Sequence, residues 1–229
     1  MSKPQLFCFT YAGGTKDFFK VIEPDLCGID VVPLEYAGHG ERRKEEYSID
    51  FDELAEDMFR EVKEGLNSDY ALFGYSMGSI TLVEVLKRII ATGLPQPKNI
   101  FLAAHEPHTK SELLGFTDDE LDEWVKNRTV RFGAVPNKLL NNKAFWRVYL
   151  PVYRADYTII GKYHFEKLDL STQIPATVFY SETDTPKTEM EKWGRFFPCE
   201  LYEFPGTHFF IQQHHAEMGR IIRIKMGVL

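Results

Sequence analysis

The chain has 229 residues, of which 44% are hydrophobic and 27% charged, proportions that are ordinary for a globular protein and argue against a disordered chain. The net charge of −7 argues against a nucleic-acid-binding protein, and no run approaches the roughly 18 apolar residues of a membrane span. Three cysteines in no metal or redox spacing, with no signal-peptide core, favour a reducing cytoplasm in which they serve as buried apolar groups.

Six short apolar runs predict strands, and several are hydrophobic almost throughout, as is usual for strands covered on both faces. They cover residues 6–10, 29–34, 70–74, 99–104, 176–181 and 200–204. Helical patterns lie between them, so we predict an α/β fold with a mostly parallel central sheet flanked by helices. The length suits one domain over residues 1–229, and we expect a monomer.

Two helices are indicated between the early strands. Apolar residues recur at helical spacing from Phe51 to Leu66, and Ser48 with the acids that follow it suits a helix start whose capping residue stays open. The stretch 80–90 is apolar nearly all round, which is typical of a buried helix.

The segment Gly74-Tyr75-Ser76-Met77-Gly78 lies between a predicted strand and this apolar helix. That context is what the nucleophile elbow of an α/β-hydrolase requires, although a chance match in a glycine turn is the alternative. The elbow would expose the Ser76 hydroxyl as a nucleophile, and the backbone N–H of Met77 would point at the developing oxyanion.

Residues 105–165 break the alternation of strands and helices. The stretch is helical, and Thr117 to Glu120 has the pattern of a capping box that begins a helix. By analogy with other hydrolases, a helical insertion between two core strands is a lid over the active site.

The partners of the serine follow it in the order acid, then histidine. His208 lies directly after the last predicted strand, where catalytic groups gather, and we predict that it is the base. Asp184, in a turn after the fifth strand, is the predicted acid. Glu182 is the alternative acid, and Asp184 could also be an ordinary turn aspartate.

A second oxyanion donor is expected from the glycine-containing loop at residues 10–14, after the first strand. We favour the N–H of Ala12, with Tyr11 as the alternative, and the glycines could also serve only a tight turn. The sequence has no metal-ligand cluster and no dinucleotide fingerprint, so we expect no cofactor or metal.

Further segments resemble one family, the type II thioesterases that edit nonribosomal peptide and polyketide synthesis. Besides the elbow, Asp184 and 206–210, the matching segments are 9–14 (Phe-Pro-x-Ala-Gly-Gly in the family), 36–42 (Pro-Gly-x-Gly-x-Arg), 104–108 (ending in Pro-His), 132–136 (Gly-Gly-x-Pro) and 151–157 (Pro-x-x-Arg-Ala-Asp). The departures are Thr10 for proline, Tyr75 for histidine and Ser181 for glycine, and Tyr75 leaves the acyl preference open.

The resemblance implies hydrolysis of acyl thioesters from the phosphopantetheine arm of an acyl- or peptidyl-carrier protein. Ser76 would form an acyl-enzyme while His208 moves the proton, and Met77 and Ala12 would hold the oxyanion. The pantetheine belongs to the partner, so the enzyme would need no cofactor of its own. The competing functions are a general esterase or lipase for small free esters and a non-catalytic binding module.

The stretch from Trp124 to Val148 has six basic residues and no acidic one, in a chain of charge −7. Because carrier proteins are typically acidic, the region Lys126–Arg147 could dock them by electrostatic steering. The alternative is a solvated lid helix. The six residues are Lys126, Arg128, Arg131, Lys138, Lys143 and Arg147.

Overall fold

A computed structural model describes residues 2–67, 69–107, 116–133, 135, 137–170 and 172–228. All six predicted strands are confirmed, each end within one residue: β1 Gln5–Phe9, β2 Asp30–Pro33, β3 Tyr70–Tyr75, β4 Ile100–Ala103, β5 Ala176–Tyr180 and β6 Cys199–Glu203. They form one sheet in the order β2-β1-β3-β4-β5-β6, and every neighbouring pair is parallel.

The α-helices of the described chain are α1 Phe51–Gly65, α2 Met77–Ala91, α3 Asp118–Arg131, α4 Lys143–Lys162, α5 Lys187–Met190 and α6 Ile211–Lys225. Short 3₁₀ helices lie at Lys16–Val21, Glu23–Asp25, Gly40–Arg42, Asn137–Leu139, Phe165–Lys167 and Glu191–Arg195. Asp50 caps α1 by accepting the backbone N–H of Glu53. The capping box at Thr117 is confirmed, with both of its reciprocal bonds to Glu120 present.

Alternating side chains of the strands supply two hydrophobic clusters, one on each face of the sheet. Phe7 and Phe9 of β1 belong to the cluster under α1, α2 and α4, whereas Leu6 and Cys8 belong to the cluster under α6. The prediction that the cysteines are buried is correct for Cys8 alone. Cys27 is exposed and Cys199 is half-buried, because they lie in a surface turn and in an edge strand.

The predicted lid carries α3 and α4, and its described residues contain no strand. Arg154 of α4 joins the two helices through a bidentate ion pair with Asp122 of α3, at 2.7 and 2.6 Å. His108 lies outside the described residues, as do residues 134 and 136 of the predicted lid pattern. Among the residues described, none of the helices has the length and apolar character needed to cross a membrane.

Candidate active site

Ser76 lies in the sharp turn between β3 and α2, at the carboxyl edge of the sheet. Its backbone has a φ of 54°, a conformation that residues with side chains rarely adopt. A Cβ on Gly74 would lie 2.3 Å from the Gly78 carbonyl oxygen, and one on Gly78 would lie 2.0 Å from that of Phe9. Only glycines allow this backbone packing, and the strained turn presents the serine hydroxyl at the sheet edge.

Ser76, His208 and Asp184 form one hydrogen-bonded series. They follow β3, β6 and β5, and parallel strands bring these loops to the same edge of the sheet. The Nε2 of His208 is 3.0 Å from the serine Oγ, and its Nδ1 is 2.8 Å from the aspartate Oδ2. Because the carboxylate accepts the Nδ1 proton, Nε2 is left free to accept the serine proton, which is the tautomer a general base needs.

The loop after β5 distinguishes the two candidate acids. Glu182 is exposed, and its carboxylate accepts the backbone N–H of Lys187 at the start of α5, 2.9 Å away. It therefore does not face the histidine. Ser181, which replaces a glycine of the resembling family, donates its hydroxyl to the carbonyl of Gly206 at 2.5 Å. This bond joins the loop that carries the acid to the loop that carries the base.

Residues 10–14, which we call the oxyanion loop, form a tight turn closed by a bond from the Gly14 N–H to the Tyr11 carbonyl, 2.9 Å. Ala12 lines the same cavity as Ser76. Met77 is the first residue of α2, so its N–H has no acceptor within the helix. Ala12 and Met77 thus flank the nucleophile and remain the predicted oxyanion donors.

A small cavity of about 10 Å³ lies beside the serine, and the lid closes it. The ring of Phe132, which follows α3, stacks on the His208 imidazole with centroids 4.1 Å apart. The volume is near that of one water, so side chains of the lid must shift to admit an acyl group. The lining residues are Tyr11, Ala12, Ser76, Thr129, Phe132, Tyr153, Tyr157, His208 and Phe209.

Tyr75, which replaces a histidine of the resembling family, does not line this cavity. Its side chain is fully buried in the hydrophobic cluster under α6, and its hydroxyl donates to the backbone carbonyl of His208 at 2.6 Å. Burial raises the pKa of Tyr75 well above its ordinary value, so the phenol stays protonated and keeps donating. The residue thus holds the backbone of the histidine loop through this hydrogen bond, a role that its position beside the serine did not reveal.

Two buried charged residues of the site have roles that the sequence did not reveal, although both lie in segments that resemble the family. Asp156 of α4 is 3.0 Å from the Nε2 of His39, which lies in the loop after β2, and both residues are 3% exposed. The same carboxylate oxygen accepts the N–H of Gly13 at 2.6 Å. The lid is therefore bonded directly to the oxyanion loop.

The two histidines of α6 do not line this cavity. His215 of α6 pairs with Asp25 at 2.6 Å, and His214 of the same helix contacts the Pro205 carbonyl at 2.9 Å. Within the ranges that the structure describes, no three His, Cys, Asp or Glu side chains are grouped so as to hold a metal ion.

Comparison with known proteins gives a consistent result. A family model for the thioesterase domain matches residues 4–225. The gramicidin S biosynthesis protein GrsT of Aneurinibacillus migulanus is 25% identical, over 95% of this chain and 86% of its own. The medium-chain S-acyl fatty acid synthase thioesterase of Homo sapiens is 27% identical, over 90% of this chain and 80% of its own.

The chain is also similar to thioesterases of known structure. The type II thioesterase BorB from the borrelidin biosynthetic cluster is 25% identical with a TM-score of 0.83, over 98% of this chain and 93% of that one. The parallel sheet, the elbow and this likeness confirm the predicted α/β-hydrolase fold.

Proposed function

The chain belongs to the thioesterase family as a type II thioester hydrolase, and we propose that it uses Ser76, His208 and Asp184 to release stalled or aberrant acyl groups from carrier proteins. The observation that carries the proposal is the hydrogen-bonded series of these three side chains beneath a helical lid. The acyl group arrives as a thioester of the partner's phosphopantetheine arm.

Acylation begins when the Ser76 hydroxyl attacks the thioester carbonyl carbon and gives its proton to Nε2 of His208. The carbonyl oxygen becomes an oxyanion, and the N–H groups of Met77 and Ala12 are placed to stabilise it. The carbon–sulfur bond then breaks, and the pantetheine sulfur leaves as a thiol with the proton from the imidazolium. The acyl group remains on the serine as an ester.

Deacylation repeats these steps with water as the nucleophile. His208 takes a proton from the water, which attacks the acyl-serine carbonyl and forms a second oxyanion in the same position. Collapse returns the proton to the Ser76 oxygen and releases the free acid. Asp184 accepts the Nδ1 proton of His208 in a hydrogen bond and holds the imidazole in the required orientation.

Steady-state rates on two matched substrates test this function. One is an acyl group on the phosphopantetheine arm of a holo-carrier protein, and the other is the same acyl group as an ester of a small alcohol. We expect kcat/KM to favour the carrier-bound thioester by at least about a hundredfold. An equal or higher value for the ester would make the protein a general esterase, and failure of a fluorophosphonate to label Ser76 would make it a non-catalytic module.

For the partner, we propose docking on a basic lid surface, defined as Arg131, Lys138, Lys143 and Arg147. All four residues are exposed, and three apolar residues next to them in the chain, Val130, Val148 and Tyr149, are also exposed, at 44, 62 and 42%. Arg128 is excluded from this surface, since its guanidinium lies 4.9 Å from the Trp124 ring centre and 4.7 Å from that of Phe132. The positive charge of the basic lid surface is complementary to the negative charge of an acidic carrier protein.

Charge reversal tests the basic lid surface. We expect Lys138→Glu and Arg147→Glu each to raise KM for the carrier-bound substrate severalfold, and to leave KM for a small free thioester unchanged. Lys63→Glu is the matched control, because Lys63 is exposed at the end of α1, far from the carboxyl edge of the sheet where Ser76 lies. This end of α1 contacts Gln5 at the start of β1. Equal effects on both substrates, or an equal effect of the control, would remove the docking proposal.

A further inference from the structure

The oxyanion loop is held from two sides. The hydroxyl of Tyr36 donates to the Thr10 carbonyl at 3.0 Å, which fixes the start of the loop to the segment after β2. The lid holds the other end, because Asp156 accepts the Gly13 N–H at 2.6 Å. Gly13 has a φ of +77°, a conformation that residues with side chains rarely adopt.

One face of α4 makes both lid contacts with the loop. Tyr153 lies one turn before Asp156, and its ring packs so closely on Gly13 that a Cβ there would lie 2.1 Å from it. The packing sets the distance between the lid helix and the loop. The hydrogen bond adds direction, because it orients the peptide that links Ala12 to Gly13.

The hydrogen bonds of His39 define its charge. Its Nδ1 lies 3.0 Å from the Ala37 carbonyl oxygen and its Nε2 lies 3.0 Å from the Asp156 carboxylate. Both neighbours only accept, so the ring satisfies both by donating from both nitrogens as an imidazolium. Burial lowers the pKa of His39, but the carboxylate and the carbonyl outweigh it and leave the pKa raised.

A single carboxylate oxygen of Asp156 serves both partners. Its Oδ2 accepts from the Gly13 N–H and from His39, and the side chain is 4% exposed, so water does not take over either bond. A charged acceptor shortens and strengthens a bond to a backbone N–H. An amide at this position offers either an oxygen or an NH₂ group. If His39 is neutral and its Nδ1 donates to the Ala37 carbonyl, its Nε2 needs the NH₂ group, whereas the Gly13 N–H needs the oxygen.

We propose that Asp156 is a positioning residue for the oxyanion hole, with His39 as its counter-ion: from the lid, it fixes the Gly13 peptide and thereby aims the adjacent Ala12 N–H at the reacting carbonyl. This inference rests on the proposed function, in which Ala12 is an oxyanion donor. Asp156 does not touch the substrate, so its effect reaches the reaction through the loop alone. The oxyanion hole is therefore complete only when α4 is packed against the oxyanion loop.

Asp156→Asn tests the proposal, with Asp122→Asn as the matched control. Asp122 is also a lid carboxylate in an ion pair, but its partner is Arg154 and it does not reach the loop. We expect Asp156→Asn to lower kcat for a small thioester by about 10- to 100-fold with little change in KM, since misplacing one donor costs on this scale. We expect the control to stay within about twofold.

Two further readouts separate positioning from a purely structural role. Affinity for a trifluoromethyl ketone, whose adduct with Ser76 carries the same oxyanion, should fall by the same factor as kcat/KM. The double variant His39→Gln/Asp156→Asn should regain at least about fivefold in kcat over Asp156→Asn, because the glutamine NH₂ donates to the new amide oxygen and frees it to accept from Gly13. Wild-type kcat per folded Asp156→Asn enzyme, or no rescue, would overturn the proposal.

Two controls keep the outcome decisive. If Asp156→Asn does not fold, His39→Leu replaces it, since it removes the cation and the donor from the carboxylate; a kcat within twofold of wild type would then overturn the proposal. Wild-type and Ser76→Ala enzymes are assayed in parallel. An inactive wild type would refute the proposed function, whereas an active wild type with an unaffected Asp156→Asn would refute this inference alone.

Discussion

Tyr75→Phe removes one hydroxyl and leaves the ring that packs beside the His208 loop. The His208 carbonyl, 2.6 Å from that hydroxyl and buried, loses its donor. An unsatisfied buried acceptor costs about 1–3 kcal/mol, which in a chain of this size lowers the melting temperature by about 2–12 °C. Because the lost bond is to the backbone of the base itself, we also expect kcat to fall by about tenfold.

Tyr70→Phe is the matched control for this prediction. Tyr70 begins β3, where Tyr75 ends it, and its hydroxyl donates to the Pro95 carbonyl at 2.6 Å. Thermal unfolding followed by circular dichroism measures stability, and kcat on a small thioester measures the site. Both variants should be less stable than the wild type, but only Tyr75→Phe should lose rate. A wild-type kcat in Tyr75→Phe would refute the claim that the hydroxyl positions His208.

Three other substitutions give distinct results. Phe132→Ala removes the ring stacked on His208 and enlarges the cavity. The ratio of kcat/KM for a branched acyl thioester to kcat/KM for an acetyl thioester should therefore rise at least about tenfold. An unchanged ratio would contradict the lid's position. Gly78→Ala places a Cβ 2.0 Å from a backbone oxygen. Activity should be lost, and the free energy of unfolding measured in urea should fall by about 1–3 kcal/mol. A fully active variant would contradict the elbow geometry. His39 has a raised pKa beside Asp156, so its charged form stabilises the fold. The difference in free energy of unfolding between the wild type and His39→Gln should be full below pH ~6.5 and vanish as the pH rises through that raised pKa. A difference that grows with pH would show that His39 is buried neutral.

The strands were predictable because apolar runs and their spacing are local properties of the sequence. Strands covered on both faces read as continuous hydrophobic segments, and each of the six was located within one residue. The capping box at Thr117 was equally readable, because its bonds join residues three positions apart. The cap of α1 stayed open because Ser48 and Asp50 are both competent acceptors, and only the backbone at Asp50 decides between them.

The site was predictable only as far as chain order and strand ends determine it. Parallel strands gather Ser76, Asp184 and His208 at one edge, so these three could be proposed from the sequence. The bond between His39 and Asp156 spans 117 residues of chain and depends on how the lid helix docks, which no local pattern encodes.

Tyr75 shows the same limit within the elbow. Its position beside the serine suggested an effect on the pocket, but the alternation of side chains along β3 directs it into the cluster under α6, where its hydroxyl donates to the His208 backbone carbonyl.

The central claim is transfer of an acyl group from a carrier protein to Ser76. Intact-protein mass spectrometry after rapid mixing of enzyme with acyl-carrier protein tests it most directly. The account predicts that the carrier loses the acyl mass, that a peptide containing Ser76 gains it transiently, and that Ser76→Ala leaves the carrier acylated. Deacylation of the carrier by Ser76→Ala at the wild-type rate, or acyl mass on a peptide without this serine, would contradict the account.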